Sequence, residues 1–399
     1  MMLSAQTLTL EQCLQLAEKG NLTLQVAQGA VEHSEMLQQT AWDVEKTELS
    51  FSQDPTSGGS PDNALTLSQT IDFPTRYTAR RHQLVAETDV KKSELAVLKN
   101  KMQGEIAAHY YTLVYLREKL RILQDQDTIL ARYEELATKR YDAGEVRRLE
   151  PLNAQRMRQE NGMQILAAQT EYAQVQAELS ALMGTDVLVE PVQMAYALVS
   201  MPATMAYNYG TTPEGQYLET QRQLADRAVK LAKTEFLPSL SLGLRTQMVI
   251  KAWNPYHVDR GWNDGNFMGF EVGVNFPIFT KATRAKVKAA QKERALLDKQ
   301  AENEAFSRER AYTIARNRLL AAKTQTDYYN STASADAEAA VSISAAAYES
   351  GEISYLEYVG ALQQAVDVRL KSAAAVNDYN QAAVTLQTLA GTYATMYGK

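Results

Sequence analysis

The chain has 399 residues, of which 45% are hydrophobic and 22% are charged. This composition excludes collagen-like, disordered and low-complexity chains, and it provides enough material for two or three domains. The 41 Lys and Arg residues against 47 Asp and Glu residues give a net charge of −6, so nothing in the composition points to nucleic-acid binding. No stretch approaches the roughly 18 consecutive apolar residues of a membrane-spanning helix. Contact with a membrane would therefore require strands or an anchor.

Cysteine and histidine usage excludes several kinds of site. The single cysteine, Cys13, cannot form an internal disulfide; it follows Gln12 in a helical pattern, which makes it a poor lipidation site and predicts a buried thiol. The four histidines are far apart, with no His-Glu-x-x-His motif and no glycine-rich phosphate loop before a helix. We therefore expect no enzyme activity, no cofactor and no metal. The first residues lack the features of a secretory signal and fit equally the tail of a removed signal or an artificial start.

The second half of the chain repeats the first at a constant offset. The segment 140–150 reappears as 347–357, with the tyrosine, the Gly-Glu pair and the Leu-Glu pair in the same places. The same offset of 207 also pairs Ala154 with Ala361, Tyr172 with Tyr379, Leu182 with Leu389 and Gly184 with Gly391. We therefore predict two structural repeats, residues 1–184 and 213–399, with a joining segment at 185–212.

The first repeat is predicted to run as helix, strand, strand, long helix, turn and helix. Thr9 and Gln12 are spaced as a capping box, and the helical pattern continues to about Val44. A short alternating segment follows around Leu49 and Phe51, and a turn-rich cluster comes after it. The second strand then places four apolar residues on one face, namely Leu65, Leu67, Ile71 and Phe73.

The second repeat follows the same order. Its first helix is predicted to begin at Thr212-Pro213, an N-cap with proline at the first helical position, and to end before Pro238. Two strands follow, separated by a long loop that is rich in aromatic residues. Their apolar residues alternate with polar or small ones and are Leu240, Leu242, Leu244, Phe270, Val272, Val274 and Phe276.

The helix after each pair of strands is predicted to be unusually long. Nine apolar residues from Leu95 to Leu123 recur with a mean spacing of 3.5 (28 positions in eight steps), which is the coiled-coil period. No proline interrupts either repeat between the helix start and its glycine turn, at Gly144 or Gly351. Helices of about 65–70 residues, at about 1.5 Å per residue, would be about 100 Å long.

The four strands have two uses that fit their pattern equally well. An apolar face opposite a polar or small face suits a membrane barrel with a wet interior, and it also suits a small soluble sheet that caps a coiled coil. In a barrel, several chains would have to pool their strands. The aromatic residues of the loop would then lie at the membrane interface, namely Trp253, Tyr256, Trp262 and Phe267. The residues expected to face lipid are Leu242, Leu244, Val272 and Val274.

Several segments together resemble the outer-membrane efflux protein family typified by TolC. They are the pattern at 8–17, the Phe73-Pro74 strand end, the Arg-Tyr-Asp-Ala-Gly-Glu run at 140–145 with its counterpart at 347–352, and the repeat ends at 182–184 and 389–391. The resemblance covers nearly the whole chain. It implies a fold that is mainly α with a small β part, built from long antiparallel coiled-coil helices and two β-hairpins per chain. It also implies a homotrimer in which a helical tunnel continues into a twelve-stranded membrane barrel.

The same resemblance implies a function and a set of partners. The protein would be an exit duct in the outer membrane of a Gram-negative bacterium, with a long periplasmic part, and would pass drugs, toxic compounds or cations outward. Its partners would be a periplasmic adaptor and, through it, an inner-membrane transporter of the RND or ABC type. Two alternatives fit the same pattern: an exit duct for type I protein secretion, and a soluble coiled-coil scaffold without a channel.

The two glycine turns are predicted to differ in charge and to share a backbone conformation. Residues 132–158 carry seven basic and five acidic residues, a net charge of +2. Each turn glycine is expected at positive φ, where a side chain would be strained. By resemblance the turns form the periplasmic end where the adaptor docks, a role compatible with turn formation alone. The docking residues are then Gly144, Glu145, Arg147, Arg148 and Gly351.

The second turn lies in an acidic stretch. Between Lys323 and Arg369 there is no basic residue, and seven acids give a net charge of −7. By resemblance the helices around this turn narrow the periplasmic entrance, and Glu357 matches the position of the first acid in the family's constriction ring. Three copies would form a ring that selects cations and whose mutual repulsion raises an apparent pKa. The alternative is that Glu357 is an exposed surface acid. The predicted gate residues are Glu357, Glu352, Tyr355 and Tyr358.

Overall fold

The computed structural model describes residues 5–55, 61–192, 199, 207–248 and 267–393. The chain forms two compact units, each assembled from separate stretches of sequence. Unit 1 comprises Met1–Ala27, Glu94–Gly215 and Glu304–Lys399, and unit 2 comprises Gln28–Ser93 and Gln216–Asn303. Each unit therefore combines stretches from both halves of the sequence.

The described chain is mainly helical, with a smaller β part. Its α-helices are α1 (Leu10–Gly20), α2 (Leu22–Leu37), α3 (Pro74–Asp142), α4 (Leu149–Met183), α5 (Pro213–Thr234), α6 (Lys281–Tyr328), α7 (Ser334–Glu349) and α8 (Tyr355–Ala390). Its strands are β1 (Ala5–Leu8), β2 (Glu48–Pro55), β3 (Pro61–Asp72), β4 (Leu188–Pro191), β5 (Ser239–Met248) and β6 (Phe267–Asn275). Among the helices of the described ranges, none is both long and apolar enough to cross a lipid bilayer.

The long helix of the first repeat is confirmed, whereas the second is interrupted. Helix α3 runs without a break for 69 residues. The second long helix contains a π-helical turn at Tyr329–Ala333, between α6 and α7. Ser331 Oγ donates to the Asp327 carbonyl and Ser334 Oγ donates to the Tyr329 carbonyl, so side-chain hydroxyls compete for the helical acceptors here.

The first helical segment differs from its prediction. It begins at the predicted capping box, because Thr9 Oγ1 accepts from the Gln12 N–H and the Gln12 side chain accepts from the Thr9 N–H. It does not continue to Val44, however, because Asn21 adopts an extended conformation between α1 and α2. The Asn21 side chain caps the Leu24 N–H at 3.0 Å, and its amide donates to a carbonyl of α4. Helix α2 ends at Leu37, and one 3₁₀ turn follows.

The predicted coiled-coil seam of α3 forms the core of unit 1. Six of its nine apolar residues are buried, namely Met102, Ile106, Tyr110, Leu113, Leu116 and Leu123. All of these except Leu123 pack with α1, α4 and α8 in one cluster that also contains Cys13. Cys13 is fully buried, as predicted, and burial raises the pKa of its thiol to about 12. This thiol is therefore unreactive at neutral pH.

A short parallel pairing of β1 with β4 was not predicted. It brings Ala5 beside Leu188 and Leu8 beside Pro191. The pair is held to α3 by Tyr110, whose hydroxyl donates to the Leu8 carbonyl at 3.1 Å. Four-residue strands so far apart in sequence carry too little pattern for recognition.

Unit 2 contains one antiparallel sheet with the order β2-β3-β5-β6. Both predicted hairpins are present, β2 with β3 and β5 with β6, and the pairing of β3 with β5 joins them. Strands β2 and β6 are the two edges. Of the predicted aromatic belt, Trp253, Tyr256 and Trp262 lie outside the described residues, whereas Phe267 is the first residue of β6.

Candidate functional site

Two helix turns in unit 1 have the same backbone hydrogen bonds at equivalent positions. At the first, the Gly144 N–H donates to the Tyr141 carbonyl and the Glu145 N–H donates to the Arg140 carbonyl. At the second, Gly351 and Glu352 repeat this pattern. It is a Schellman motif, which needs a left-handed residue after the helix. Gly144 and Gly351 supply it with φ values of 78° and 76°, as predicted.

Replacing glycine with alanine should change the free energy of unfolding in opposite directions at the Gly144 turn and inside α4. A Cβ at Gly144 would meet no atom within 4 Å, so Gly144→Ala tests backbone strain alone, and we expect a loss of about 1–2 kcal/mol. Gly162 is equally open but lies inside α4, so Gly162→Ala should instead gain about 0.4–1 kcal/mol. Denaturant unfolding of the full chain would compare the two. Equal effects of the same sign would contradict the role of positive φ at Gly144.

The first turn presents two arginines that have no partner in the described chain. Glu145 accepts from Arg140 Nε at 3.2 Å, so this acid is occupied within its own turn. Arg147 and Arg148 are exposed and form no ion pair with any residue that the structure describes. Beside them Leu149 is also largely exposed. The turn therefore offers two free guanidinium groups next to apolar surface, a composition typical of protein–protein contact sites.

A cluster of four tyrosines lies where α3, α7 and α8 meet, and the sequence did not reveal it. Tyr355 contacts Tyr133 of α3 and Tyr348 of α7, with ring centroids 5.2 and 5.1 Å apart, and Tyr348 stacks on Tyr358 at 5.6 Å. Tyr133 is fully buried, and burial raises the pKa of its hydroxyl. The cluster thus packs the start of α8 against α3. Because Tyr133 and Tyr355 are distant in sequence, only the packing of helices brings them together.

Glu357 belongs to a capping box at the start of α8. Its carboxylate accepts from the Ser354 N–H at 2.7 Å, and Ser354 Oγ accepts from the Glu357 N–H at 3.3 Å. The Ser354 N–H lowers the pKa of this exposed carboxyl. Within one chain the pKa of Glu357 is therefore lowered, whereas repulsion among three copies was predicted to raise it. The Ser-x-x-Glu spacing was a readable signal for this cap.

The remaining predicted gate residues have different environments. Glu352 is exposed at the turn, while Tyr355 and Tyr358 are half-buried in the tyrosine cluster. The acidic stretch between Lys323 and Arg369 lies on α6, α7 and α8 and includes the π-helical turn. Asp367 pairs with Lys371 at 2.6 Å, so part of this negative charge is neutralised from outside the stretch.

The sheet of unit 2 has one apolar face and one polar face. In the register, Leu242 lies opposite Val272 and Leu244 lies opposite Phe270, so these side chains share a face. The apolar face includes Leu49, Phe51, Leu67, Leu240, Leu242, Leu244, Met268, Phe270, Val272 and Val274, all of them exposed. No other part of the described chain covers this apolar face. A contiguous exposed patch of ten apolar side chains is exceptional for a water-soluble surface.

The polar face consists of small, hydroxyl and charged residues. Thr66 lies opposite Arg245, and Gly243 lies opposite Glu271. Gly273 should tolerate a side chain less well than its place on the polar face predicts. An added Cβ would meet Ser241 Oγ, and the Ser241 side chain would have to rotate. Asn275 is exposed and is the better position for a mild substitution.

Comparison with known proteins identifies this arrangement. Residues 21–185 and 213–392 match the family model described as outer membrane efflux protein. Similar solved structures include the outer membrane protein VceC of Vibrio cholerae (TM-score 0.75, 16% identity, 96% of each chain) and CusC (0.78, 17%, covering 98% of this chain and 93% of that one). Another is the open state of the MtrE outer membrane channel of Neisseria gonorrhoeae (0.76, 16%, 96% and 88%).

These structural likenesses, at 16–17% identity, establish the fold. A comparison with the curated proteins gives no match in sequence. The family match stands on its own, because its two segments together cover most of the chain. This chain therefore belongs to the outer membrane efflux protein family.

Proposed function

We propose that three copies of the chain pool their strands into a twelve-stranded membrane barrel and their helices into a tunnel. The protein is an outer-membrane efflux channel by its family. The sheet of unit 2 is the main support for a trimeric barrel. It has an uncovered apolar face and a polar face, and its edge strands β2 and β6 pair with no further strand in the described chain. A lipid-facing barrel needs this alternation and leaves no edge unpaired, whereas four strands alone cannot close.

We also propose that residues 1–184 and 213–399 are two structural repeats joined by 185–212. The equivalent Schellman turns support this, as do the αL glycines that end α4 and α8, Gly184 and Gly391. Each repeat would contribute one hairpin to the barrel and one antiparallel pair of long helices to the tunnel.

The efflux system includes a periplasmic adaptor and an inner-membrane partner, and we propose that the adaptor docks on the two helix turns. Free guanidinium groups at Arg147 and Arg148 beside the exposed Leu149 support the first turn as a contact site. Gly144 and Gly351 would set the backbone of the two turns, and Glu145 would hold Arg140 in place. The inner-membrane transporter would be of the RND or ABC type, and the cargo would be small molecules.

Glu357 is proposed to form the entrance ring, with Glu352, Tyr355 and Tyr358 around it. The capping box supports this role, because two hydrogen bonds from Ser354 fix the carboxylate at the first turn of α8. A fixed, ionised carboxylate from each of three copies would attract cations. Hydrogen bonding from the Ser354 N–H lowers the pKa of Glu357, so the carboxylate is ionised at neutral pH and its charge is lost only as pH falls through that lowered pKa.

Glu357→Gln separates charge from capping, because glutamine also completes a capping box. In planar-bilayer recordings we expect the wild type to be cation-selective and the Gln variant to have weaker selectivity and weaker block by multivalent cations. Glu338→Gln removes the same charge from α7, away from the start of α8, and should leave both the cation selectivity and the block unchanged. If Glu357→Gln conducts and selects as the wild type does, the constriction lies elsewhere.

Outer-membrane fractionation and detergent-solubilised size test the proposal as a whole. We expect a trimer that fractionates with outer membranes and conducts ions in a bilayer. A monomeric protein that stays in the aqueous fraction would overturn it and favour a soluble scaffold.

A further inference from the structure

The two long helices begin with runs of positive charge directly after the strands end. Residues 73–86, at the start of α3, contain three arginines and no acid, and residues 280–292, at the start of α6, contain five Lys and Arg and no acid. The whole chain is negative, so composition does not explain this excess. In the register Asp72 lies opposite Ser239, and Ser239 lies opposite Asn275, so both runs leave the sheet at the same end.

Most of these cations have no carboxylate partner. Three of the eight form ion pairs, which are Arg76 with Asp72, Arg80 with Asp43 and Lys286 with Glu235. The other five are exposed and form no ion pair with any residue in the described ranges, namely Arg81, Lys281, Arg284, Lys288 and Lys292. The last four are spaced by three, four and four residues, so they form one stripe on α6.

Exposed apolar side chains lie between the strands and this stripe. Phe276, Ile278 and Phe279 are 68%, 82% and 92% exposed, and Phe276 continues the alternation of the apolar face of β6. Before the other hairpin, Trp42 ends the 3₁₀ turn that follows α2; it is 59% exposed and stacks on Tyr77 with ring centroids 5.1 Å apart. The Tyr77 hydroxyl accepts from the N–H of Asp72, the last residue of β3, which places Trp42 at the same end of the sheet.

We propose that this end of unit 2 is a collar that binds anionic phospholipids of the leaflet facing the helices. The exposed side chains of Trp42, Phe276, Ile278 and Phe279 would enter the headgroup boundary of the bilayer. The stripe of cations on α6 would bind the lipid phosphates. The inference rests on the proposed placement of the sheet in the membrane. A soluble polyanion would pair with the cations but would leave Phe276, Ile278 and Phe279 in water. An anionic phospholipid can contact both the cations and these apolar side chains.

Trp42 provides an intrinsic probe for this contact. Replacing Trp253 and Trp262 with Phe leaves Trp42 as the sole tryptophan. The full chain would be reconstituted in phosphatidylcholine vesicles with a minor fraction of phosphatidylglycerol, and either lipid would carry brominated acyl chains that quench Trp42. Each surface cation strengthens attraction to an anionic surface about fivefold, so the collar should enrich phosphatidylglycerol at least about tenfold at low salt.

The charge of the stripe is tested by Lys281→Gln, Arg284→Gln and Lys288→Gln combined. We expect the enrichment to fall to near onefold, while trimer formation and conductance in phosphatidylcholine bilayers stay unchanged. The matched control, Lys299→Gln, Arg310→Gln and Lys323→Gln, removes the same charge from the same helix farther from the sheet and should keep the enrichment.

Four results would overturn the collar. They are no quenching of Trp42 by either lipid, equal enrichment in the wild type and the triple variant, loss of the trimer in the triple variant, and binding of soluble peptidoglycan fragments in preference to phosphatidylglycerol. Loss of the trimer would assign the stripe to carboxylates of a neighbouring copy. Absence of conductance in every variant, the wild type included, would instead contradict the proposed channel, so the two failures are distinguishable.

Discussion

Leu242→Arg is expected to abolish most of the assembled protein in the membrane. Leu242 lies in the middle of β5 on the uncovered apolar face, opposite Val272 and beside Gln69 of β3. An arginine facing lipid near the middle of a strand costs about 2–4 kcal/mol, which is a 30- to 800-fold change in an equilibrium constant. The amount of heat-labile trimer in isolated outer membranes would measure the effect.

Ser241→Arg is the matched control for this substitution. Ser241 is the preceding residue on the same strand, but it belongs to the polar face and lies opposite Gly273, where there is no side chain to displace. The polar face already contains Arg245, so a second arginine there should be tolerated. Asn275→Ser on this face should also cost little. If arginine is tolerated equally at 241 and 242, the sheet does not face lipid, and the soluble-scaffold alternative is favoured.

Reversing the charge of Arg147 and Arg148 together is expected to abolish efflux while trimers still form. Both side chains are exposed and form no ion pair within the described chain, so their replacement by Glu removes no contact that stabilises the fold. The charge of residues 132–158 would change from +2 to −2. An adaptor surface complementary to the wild type would then be repelled, since rim charges govern both encounter and register.

Drug susceptibility of cells and co-purification of the adaptor are the measurements for this double variant. Lys230→Glu with Lys233→Glu changes the same charge on exposed positions of α5 in unit 2 and should leave efflux intact. Normal efflux in the Arg147 and Arg148 variant would remove these arginines from the docking site. Lost efflux with normal adaptor binding would assign them to a later step.

Local chemistry made much of the fold predictable. The capping box at Thr9, the N-cap at Thr212 and the glycines at 144 and 351 depend on neighbouring residues, and the structure has each of them where it was predicted. The alternation of the strands likewise identified both hairpins and the apolar face. In each case the physical cause acts over a few residues, and the sequence pattern therefore contains it.

The features that were missed depend on contacts between distant segments or on competition within a helix. The pairing of β1 with β4 joins short strands about half a chain apart, and the tyrosine cluster needs α3 and α8 in contact. At the π-helical turn, the hydroxyls of Ser331 and Ser334 donate to backbone carbonyls of the helix, a local competition that the apolar spacing does not encode. The Ser-x-x-Glu spacing that ends at Glu357 is typical of a capping box and could have been recognised in the sequence. Glu357 was predicted only as a gate residue, and in the structure its carboxylate caps α8.

Cross-linking of β2 to β6 between copies tests the trimeric channel most directly. One cysteine would replace Ser50 on β2, and a second would replace Gly269, Glu271 or Gly273 on β6, in an otherwise native chain. Cys13 is fully buried, so it adds no background to the oxidation. Intrachain bonds are excluded by the sheet order, which separates β2 from β6 by two strands. We expect at least one pair to give a covalent trimer of 44.4 kDa chains in denaturing gels, whereas monomer alone in all three pairs would contradict the trimeric barrel.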